Sequence, residues 1–146
     1  MSTQFNKPIC VIVGVGPGNG AAFARKFVSK GYQVALLARS AVFTQGLAEE
    51  LGDARAYACD VTNVTAVEQT FNDIQTDLGN IDVLIYNPGA GVWANVEDIT
   101  LGDFEQSWQI NAFGALLVSK QVIPTMKARK QGNIVFIGAT ASRSGG

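Results

Sequence analysis

Short apolar runs alternate along this chain with longer segments whose apolar residues recur at helical spacing. The pattern predicts strands over residues 9–13, 33–38, 54–58, 81–86 and 134–137. It predicts helices over residues 21–30, 41–51, 64–78 and 101–127. Strands that are apolar on both faces and separated by helices are typical of a parallel sheet covered on each side. The pattern therefore predicts an α/β fold with a doubly wound parallel sheet.

Local signals mark the ends of the predicted helices. Glycines directly follow three of them: Gly31, Gly52 and Gly79. Ser40 precedes the helix over 41–51 and is a suitable cap. The helix over 64–78 begins with Thr65-x-x-Glu68, which has the spacing of a capping box.

The long helix predicted over 101–127 has one apolar face, made of Phe104, Trp108, Ala112, Ala115, Ser119, Val122 and Met126. Further apolar residues lie on its other faces: Leu116, Leu117, Val118 and Ile123. A helix that is apolar on more than one face has more surface to bury than its own sheet covers. We expect this helix to contribute to self-association, although burial against its own sheet alone is the alternative.

The chain has 146 residues, which suits one domain over residues 1–146. Apolar residues make up 47% and charged residues 16%, which is a globular composition. The net charge is −1 without a block of like charges, which disfavours nucleic acid or a membrane surface as partner. No apolar run approaches the ~20 residues of a membrane span, and the first residues do not resemble a signal peptide. We expect a cytoplasmic protein.

Histidine is absent and only two cysteines occur. Cys10 and Cys59 lie in apolar runs far apart in the sequence, so we expect two buried free thiols. Without an imidazole, the chain cannot form a Ser-His-Asp triad, a Cys-His pair or a histidine metal site. We expect no metal site, and any chemistry must use other side chains or a bound cofactor.

Four glycines and a proline lie between the first predicted strand and the first predicted helix, in Gly14-Val15-Gly16-Pro17-Gly18-Asn19-Gly20. Glycines in this context form the phosphate-binding turn of dinucleotide-binding folds. Gly14 would make the tight turn, Gly18 would let the backbone approach a pyrophosphate, and Gly20 would let helix and strand pack closely. The amino end of the helix offers free N–H groups to the phosphates.

The spacing Gly14-x-x-x-Gly18-x-Gly20 resembles the short-chain dehydrogenase/reductase family, whose pattern is Thr-Gly-x-x-x-Gly-x-Gly. This chain has Val13 in place of the threonine and an added Gly16-Pro17. The resemblance extends over essentially the whole chain and implies a dinucleotide-binding Rossmann fold. It also implies hydride transfer between a nicotinamide and a small-molecule carbonyl or secondary alcohol, in a dimer or tetramer.

Further matches follow in the family's order. Asp60-Val61 resembles the family's Asp-Val pair, whose carboxylate meets the adenine amino group. Tyr86-Asn87-Pro88-Gly89 occupies the place of its Asn-Asn-Ala-Gly motif, of which Asn87 and Gly89 match, and Asn111 occupies that of its helix-borne asparagine.

The residues after the second predicted strand bear on the choice of nucleotide. An acidic residue about 20 residues past the glycines would bind the ribose hydroxyl of NAD, but Ala38 stands there and Arg39 follows. Arginine pairs with a 2′-phosphate, which a carboxylate would repel. We therefore expect NADP(H), with NAD(H) or a merely solvated arginine as alternatives. The candidate cofactor-binding residues are Gly14, Gly16, Pro17, Gly18, Asn19, Gly20, Arg39, Ser40, Asp60, Val61, Asn87, Pro88 and Gly89.

The resemblance implies a catalytic asparagine, serine, tyrosine and lysine. Asn111 is the candidate asparagine, whereas Ala139 stands at the position of the serine. Thr140 or Ser142 would supply the hydroxyl if the loop runs differently, and otherwise both are plain loop residues. Trp93 lies beside the expected nicotinamide pocket, where it would touch substrate or pack under the loop.

The family's Tyr-x-x-x-Lys motif does not occur in these 146 residues, since no tyrosine has a lysine four residues later. A sheet that ends at its fifth strand would also leave an edge exposed. We therefore expect the polypeptide to continue past Gly146, and this segment alone to be inactive. The alternatives are a nucleotide-binding protein without turnover, such as a redox sensor or scaffold, and a pure interaction module.

Overall fold

The computed structural model describes residues 7–144, in which five strands pair into one sheet. The strands are β1 (Ile9–Val13), β2 (Gln33–Ala38), β3 (Ala54–Ala58), β4 (Val83–Tyr86) and β5 (Asn133–Phe136). Their order in the sheet is β3-β2-β1-β4-β5, and every pairing is parallel. The predicted doubly wound α/β fold is confirmed.

Six α-helices and one π-helical turn surround the sheet in the described part of the chain. They are α1 (Asn19–Ser29), α2 (Ala41–Leu51), α3 (Val64–Asp77), α4 (Leu101–Trp108), the π turn (Gln109–Phe113), α5 (Gly114–Arg129) and α6 (Ala141–Ser144). No helix of the described residues is long and apolar enough to cross a membrane.

β1, β2 and β4 bury side chains on both faces of the sheet, so two cores form, whereas β5 is mostly exposed. On one face, alternate strand residues such as Val11, Leu37 and Leu84 pack against α3 and α5. On the other face, residues such as Ile12 and Leu36 pack against α1 and α2. This division explains why the three central strands are nearly continuous apolar runs, because each must be apolar on both sides.

The register of the central strands aligns their carboxyl ends. Val13, the last residue of β1, pairs with Leu37 of β2 and with Tyr86 of β4. The order of strands reverses between β1 and β4, and the crevice at such a reversal is where open α/β sheets bind ligands. The loops that leave these three strands therefore meet around one crevice.

The amino ends of the helices match the expectations only in part. Ser40 caps α2, its hydroxyl accepting from the N–H of Val42 at 3.4 Å. The capping box predicted at Thr65 and Glu68 is wrong, because Asn63 caps α3 and accepts from the N–H of Ala66 at 3.0 Å. An asparagine one residue before the helix has the extended backbone that a cap requires.

The long helix predicted over 101–127 is present, since residues 101–129 are helical without a gap. The prediction missed the π turn at Gln109–Phe113, which lies between α4 and α5 and adds a residue to one turn. The predicted apolar face is consequently buried only in its second half: Ser119, Val122 and Met126 are buried, whereas Phe104 and Trp108 are 64% and 50% exposed.

Gly20 allows α1 to approach the loop that follows β1. A methyl group at this position would lie 2.7 Å from the carbonyl oxygen of Gly14 and 2.7 Å from the Cα of Val15. Both are backbone atoms that cannot rotate away. We expect Gly20→Ala to lower the free energy of unfolding by about 2 kcal/mol, measured by urea denaturation.

Gly46 supplies the matched control, because it lies inside α2 with nothing within 4 Å of an added methyl group. Gly46→Ala should raise the free energy of unfolding by about 0.5–1 kcal/mol through its helix propensity. Equal effects of the two substitutions would contradict the close packing at Gly20.

Candidate functional site

An open cleft of about 690 Å³ lies at the carboxyl ends of the central strands. Its wall combines the glycine loop after β1, the end of β2, the residues after β3, the loop after β4 and one face of α4. From the candidate cofactor-binding residues, the wall includes Gly14, Gly16, Arg39, Asp60, Val61, Pro88 and Gly89. The others lie outside the wall: Pro17, Gly18, Asn19, Gly20, Ser40 and Asn87.

Gly14 is the point at which the glycine loop is held. Its φ of 86° is in the left-handed region, and a side chain there would lie 2.6 Å from the nitrogen of Pro88. The Asn87 amide donates to the Gly14 carbonyl at 2.8 Å, and the Gly14 N–H donates to the Leu37 carbonyl at 2.9 Å. The loop is thereby tied to β2 and to the end of β4.

The middle of the glycine loop faces open space. A side chain at Gly16 or Gly18 would meet nothing within 4 Å, and Pro17, Gly18 and Asn19 are exposed. Gly18 precedes α1 and no side chain caps this helix. The first turn of an α-helix has N–H groups without intrahelical acceptors, so this end can receive an anion.

Arg39 directly follows β2, and with Ala38 it forms part of the cleft wall. Its side chain is exposed and makes no ion pair with a residue in the described range 7–144. Ser40, the next residue, begins α2 as its cap. A free guanidinium therefore stands beside a helix amino terminus at the cleft.

Asp60 follows β3 and presents an ionised carboxylate. Its Oδ1 accepts from the N–H of Thr62 at 2.9 Å and from the Thr62 hydroxyl at 2.7 Å. These bonds lower the pKa of Asp60, and the nearby charge of Arg39 lowers it further. The carboxylate is an acceptor at neutral pH, while Val61 beside it is buried.

Asn111 lies in the π turn and binds the loop after β4. Its Oδ1 accepts from the N–H of Ala90 at 3.2 Å, and its Nδ2 donates to the Ala90 carbonyl at 2.5 Å. Ala90 and its neighbours Gly89 and Gly91 line the cleft. Asn111 thus acts on the cleft wall through this backbone pair.

The two candidate hydroxyls lie apart from the cleft. Thr140 precedes α6 and Ser142 lies within it, both exposed and neither in the cleft wall. The Ser142 hydroxyl donates to the Ala139 carbonyl at 2.8 Å. The structure therefore does not bring either hydroxyl together with the cleft residues.

Several cleft residues escaped the sequence analysis. One face of α4 and the π turn contributes Asp103, Gln106, Ser107 and Ile110. Their spacing at i, i+3, i+4 and i+7 is the signal that could have identified them. Thr62 also lines the cleft, and its position two residues after Asp60 was the available signal.

Tyr86, the last residue of β4, was not among the candidate site residues, although it stands at the first position of the Asn-Asn-Ala-Gly motif. Its ring is buried, with its centroid 6.5 Å from that of Phe136, and its hydroxyl donates to the Ile110 carbonyl. Burial raises the pKa of Tyr86 to about 12, so the phenol keeps its proton at neutral pH.

The expectations for Trp93 and the cysteines have different outcomes. Trp93 is 98% exposed, so packing under the loop is wrong.

Cys10 and Cys59 are free and buried as expected, and burial raises the pKa of Cys10 to about 12. Among residues 7–144, no cluster of acidic or cysteine side chains could hold a metal ion.

Comparison with solved structures finds close likeness in fold. An NAD⁺-bound xylitol dehydrogenase is 32% identical with a TM-score of 0.90, over 98% of this chain and 57% of its own. A metagenomic short-chain oxidoreductase in complex with NADP is 27% identical with a TM-score of 0.87, over 93% of this chain and 64% of its own.

Sequence comparison points the same way. Carbonyl reductase family member 4 of Xenopus laevis is 30% identical over 137 residues, which are 94% of this chain and 58% of that protein. A fatty acyl-CoA reductase of Acinetobacter baylyi is 31% identical over 88% of this chain and 46% of its own length. The chain thus spans about half the length of these relatives. The family model for short chain dehydrogenases matches residues 8–146, and this chain belongs to that family.

Proposed function

We propose that this protein is an NADP(H)-dependent oxidoreductase, in which the described residues bind the cofactor. It transfers a hydride between the nicotinamide and a small-molecule carbonyl or secondary alcohol. The observation that carries the proposal is Arg39, an unpaired guanidinium in the cleft wall, next to Ala38 where an NAD-binding fold has an acid.

The residues around the cleft suit the parts of a dinucleotide. The open backbone at Gly18 and the uncapped start of α1 suit the pyrophosphate. Arg39, with the amino end of α2 at Ser40, suits a 2′-phosphate. The Asp60 carboxylate suits the adenine amino group, and the buried Val61 supports that wall.

The relatives support a nicotinamide cofactor but use both kinds. One solved neighbour is described with NAD⁺ and another with NADP, and a relative from Shigella flexneri is named an NADP-dependent 3-hydroxy acid dehydrogenase. Our preference for NADP(H) therefore rests on Arg39 and Ala38.

The reacting end of the proposed site lies at the loop after β4. NADP(H), when bound, supplies or accepts the hydride. Asn111 is the proposed catalytic asparagine, and it holds this loop through both backbone groups of Ala90. Thr140 and Ser142 remain the candidate hydroxyls for orienting the substrate oxygen.

We further propose a cytoplasmic homo-oligomer, a dimer or tetramer, without nucleic-acid or membrane partners. Its subunits would meet through the outer face of α5, where Leu116 and Ile123 are 57% and 47% exposed. The two free thiols suit a reducing compartment.

Removal of the Arg39 side chain should weaken the binding of NADPH but not that of NADH. Charge-assisted hydrogen bonds to a phosphate would be lost, so we expect Arg39→Ala to raise the Kd for NADPH by roughly 10- to 100-fold. The Kd for NADH, which has no 2′-phosphate, should not change. Isothermal titration calorimetry at one fixed ionic strength measures both constants.

Arg25→Ala is the matched control, because Arg25 lies on α1, pairs with Glu50 and is outside the cleft wall. It should leave both constants unchanged. A loss of affinity for NADH as large as that for NADPH in Arg39→Ala would contradict the assignment of the 2′-phosphate.

Replacement of Asp60 should act on both cofactors alike. Asp60→Asn removes the charged acceptor for the adenine amino group, and we expect about fivefold weaker binding of NADPH and of NADH. Because the pKa of Asp60 is lowered below 3.8, the carboxylate stays charged as the pH falls. The ratio of the two proteins' Kd values should therefore be constant between about pH 8 and about pH 5. A ratio that falls towards one in this range would place the carboxylate's titration there and contradict the assignment.

A turnover assay distinguishes an oxidoreductase from a nucleotide-binding protein without activity. Protein purified from its native host is incubated with NADPH and a panel of aldehydes and ketones, and its intact mass is compared with 15.4 kDa. We expect steady consumption of NADPH, and the mass states which polypeptide was assayed. Tight NADPH binding without turnover by any compound would favour the sensor or scaffold instead.

A further inference from the structure

The π turn at Gln109–Phe113 changes the hydrogen bonding of the helix that carries Asn111. In an α-helix, the N–H of Gly114 would donate to the carbonyl of Ile110, four residues earlier. Here the N–H of Gly114 donates to the carbonyl of Gln109 instead. The Ile110 carbonyl is thereby released from its α-helical donor, directly beside Asn111.

Tyr86 supplies a donor for this carbonyl from the neighbouring strand. Its hydroxyl donates to the Ile110 oxygen, and its ring is only 3% exposed at the end of β4. The burial that raises the pKa of Tyr86 keeps the phenol protonated, so it can act as a donor. The π turn and β4 are thus joined by one buried hydrogen bond.

Gly114 is the residue that leaves room for the phenol. A methyl group at this position would collide with the Tyr86 hydroxyl oxygen and would lie 3.1 Å from Cγ2 of Val61. The absence of a side chain at the first position of α5 is therefore matched to the position of the phenol.

Asn111 links the π turn to the loop that lines the cleft. The residue follows Ile110 in the chain, and its amide holds both backbone groups of Ala90. Residues 87–96 contain no helix or strand, so this amide is a principal restraint on the loop that lines the cleft between residues 88 and 92. The chain of contacts therefore runs from Tyr86 through Ile110 and Asn111 to Ala90.

We propose that Tyr86 is a positioning residue for the nicotinamide end of the cofactor site. Its hydroxyl sets the π turn, and the π turn sets the Asn111 amide that orders the loop after β4. Arg39 and Asp60 follow other strands, β2 and β3, and bind the adenosine end without this chain of contacts. The inference rests on the proposed function, since it assigns the two ends of the cleft to the two halves of NADP(H).

The test compares a whole dinucleotide with its adenosine half. Tyr86→Phe keeps the ring and removes the hydroxyl. We expect it to raise the Kd for NADPH by about fivefold, the effect of one neutral hydrogen bond. Without the hydroxyl the loop after β4 is less ordered, so NADPH binding must supply the free energy that orders it. The Kd for adenosine 2′,5′-bisphosphate should be unchanged, which also shows that the variant is folded.

Tyr57→Phe is the matched control. The hydroxyl of Tyr57 donates to Asp77 at 2.9 Å, on the side of the molecule formed by β3 and α3. Its removal should change neither constant. Gly114→Ala should weaken NADPH binding as Tyr86→Phe does, because the added methyl group displaces the phenol. The variant that carries both substitutions should have nearly the same Kd for NADPH as Tyr86→Phe alone.

The outcomes distinguish the two levels of the proposal. If the parent protein binds neither ligand, the proposed function fails and the role of Tyr86 fails with it. If the parent binds both ligands, the inference is overturned when Tyr86→Phe leaves the Kd for NADPH unchanged or weakens both ligands equally. Selective loss of NADPH affinity, with Tyr57→Phe silent, supports it.

Discussion

The parallel pairing of β1 with β2 and β4 is the constraint on which the rest of this structure depends. Because Val13 pairs with both Leu37 and Tyr86, three strands end at one level. Every candidate cofactor-binding group follows one of these strand ends, or that of β3 beside them. The sheet therefore converts positions that are far apart in sequence into the wall of one cleft.

The backbone of the glycine loop completes this arrangement. The Gly14 carbonyl receives the Asn87 amide, and the space that a side chain would need is occupied by Pro88. Asn87 is thus more a support of the loop than a group free to bind a ligand. The arrangement explains why an asparagine and a glycine are needed 73 residues apart, although only one of them faces the crevice.

Much of the fold and part of the candidate site could be predicted from the sequence. Strands buried on both faces are continuous apolar runs. Arg39 directly follows β2, and Asp60 lies two residues after the end of β3. The π turn inside the long helix was not predictable in this way, because residues 101–127 keep helical spacing across it. The hydrogen bond from Tyr86 to Ile110 joins residues 24 apart and depends on the packing of β4 against that turn. Such a contact leaves no periodic signal.

The Asp82 carboxylate joins parts of the structure that are far apart in the sequence. Its Oδ2 accepts from the N–H of Ile9 at 2.8 Å, and its Oδ1 accepts from Arg129 at 3.0 Å. One carboxylate therefore joins the start of β1, the approach to β4 and the end of α5. During synthesis, β1 can pair with β2 early, but its other edge has no partner until β4 has left the ribosome. The central strand is consequently an open edge until β4 has emerged, and its protection in that interval depends on the speed of elongation.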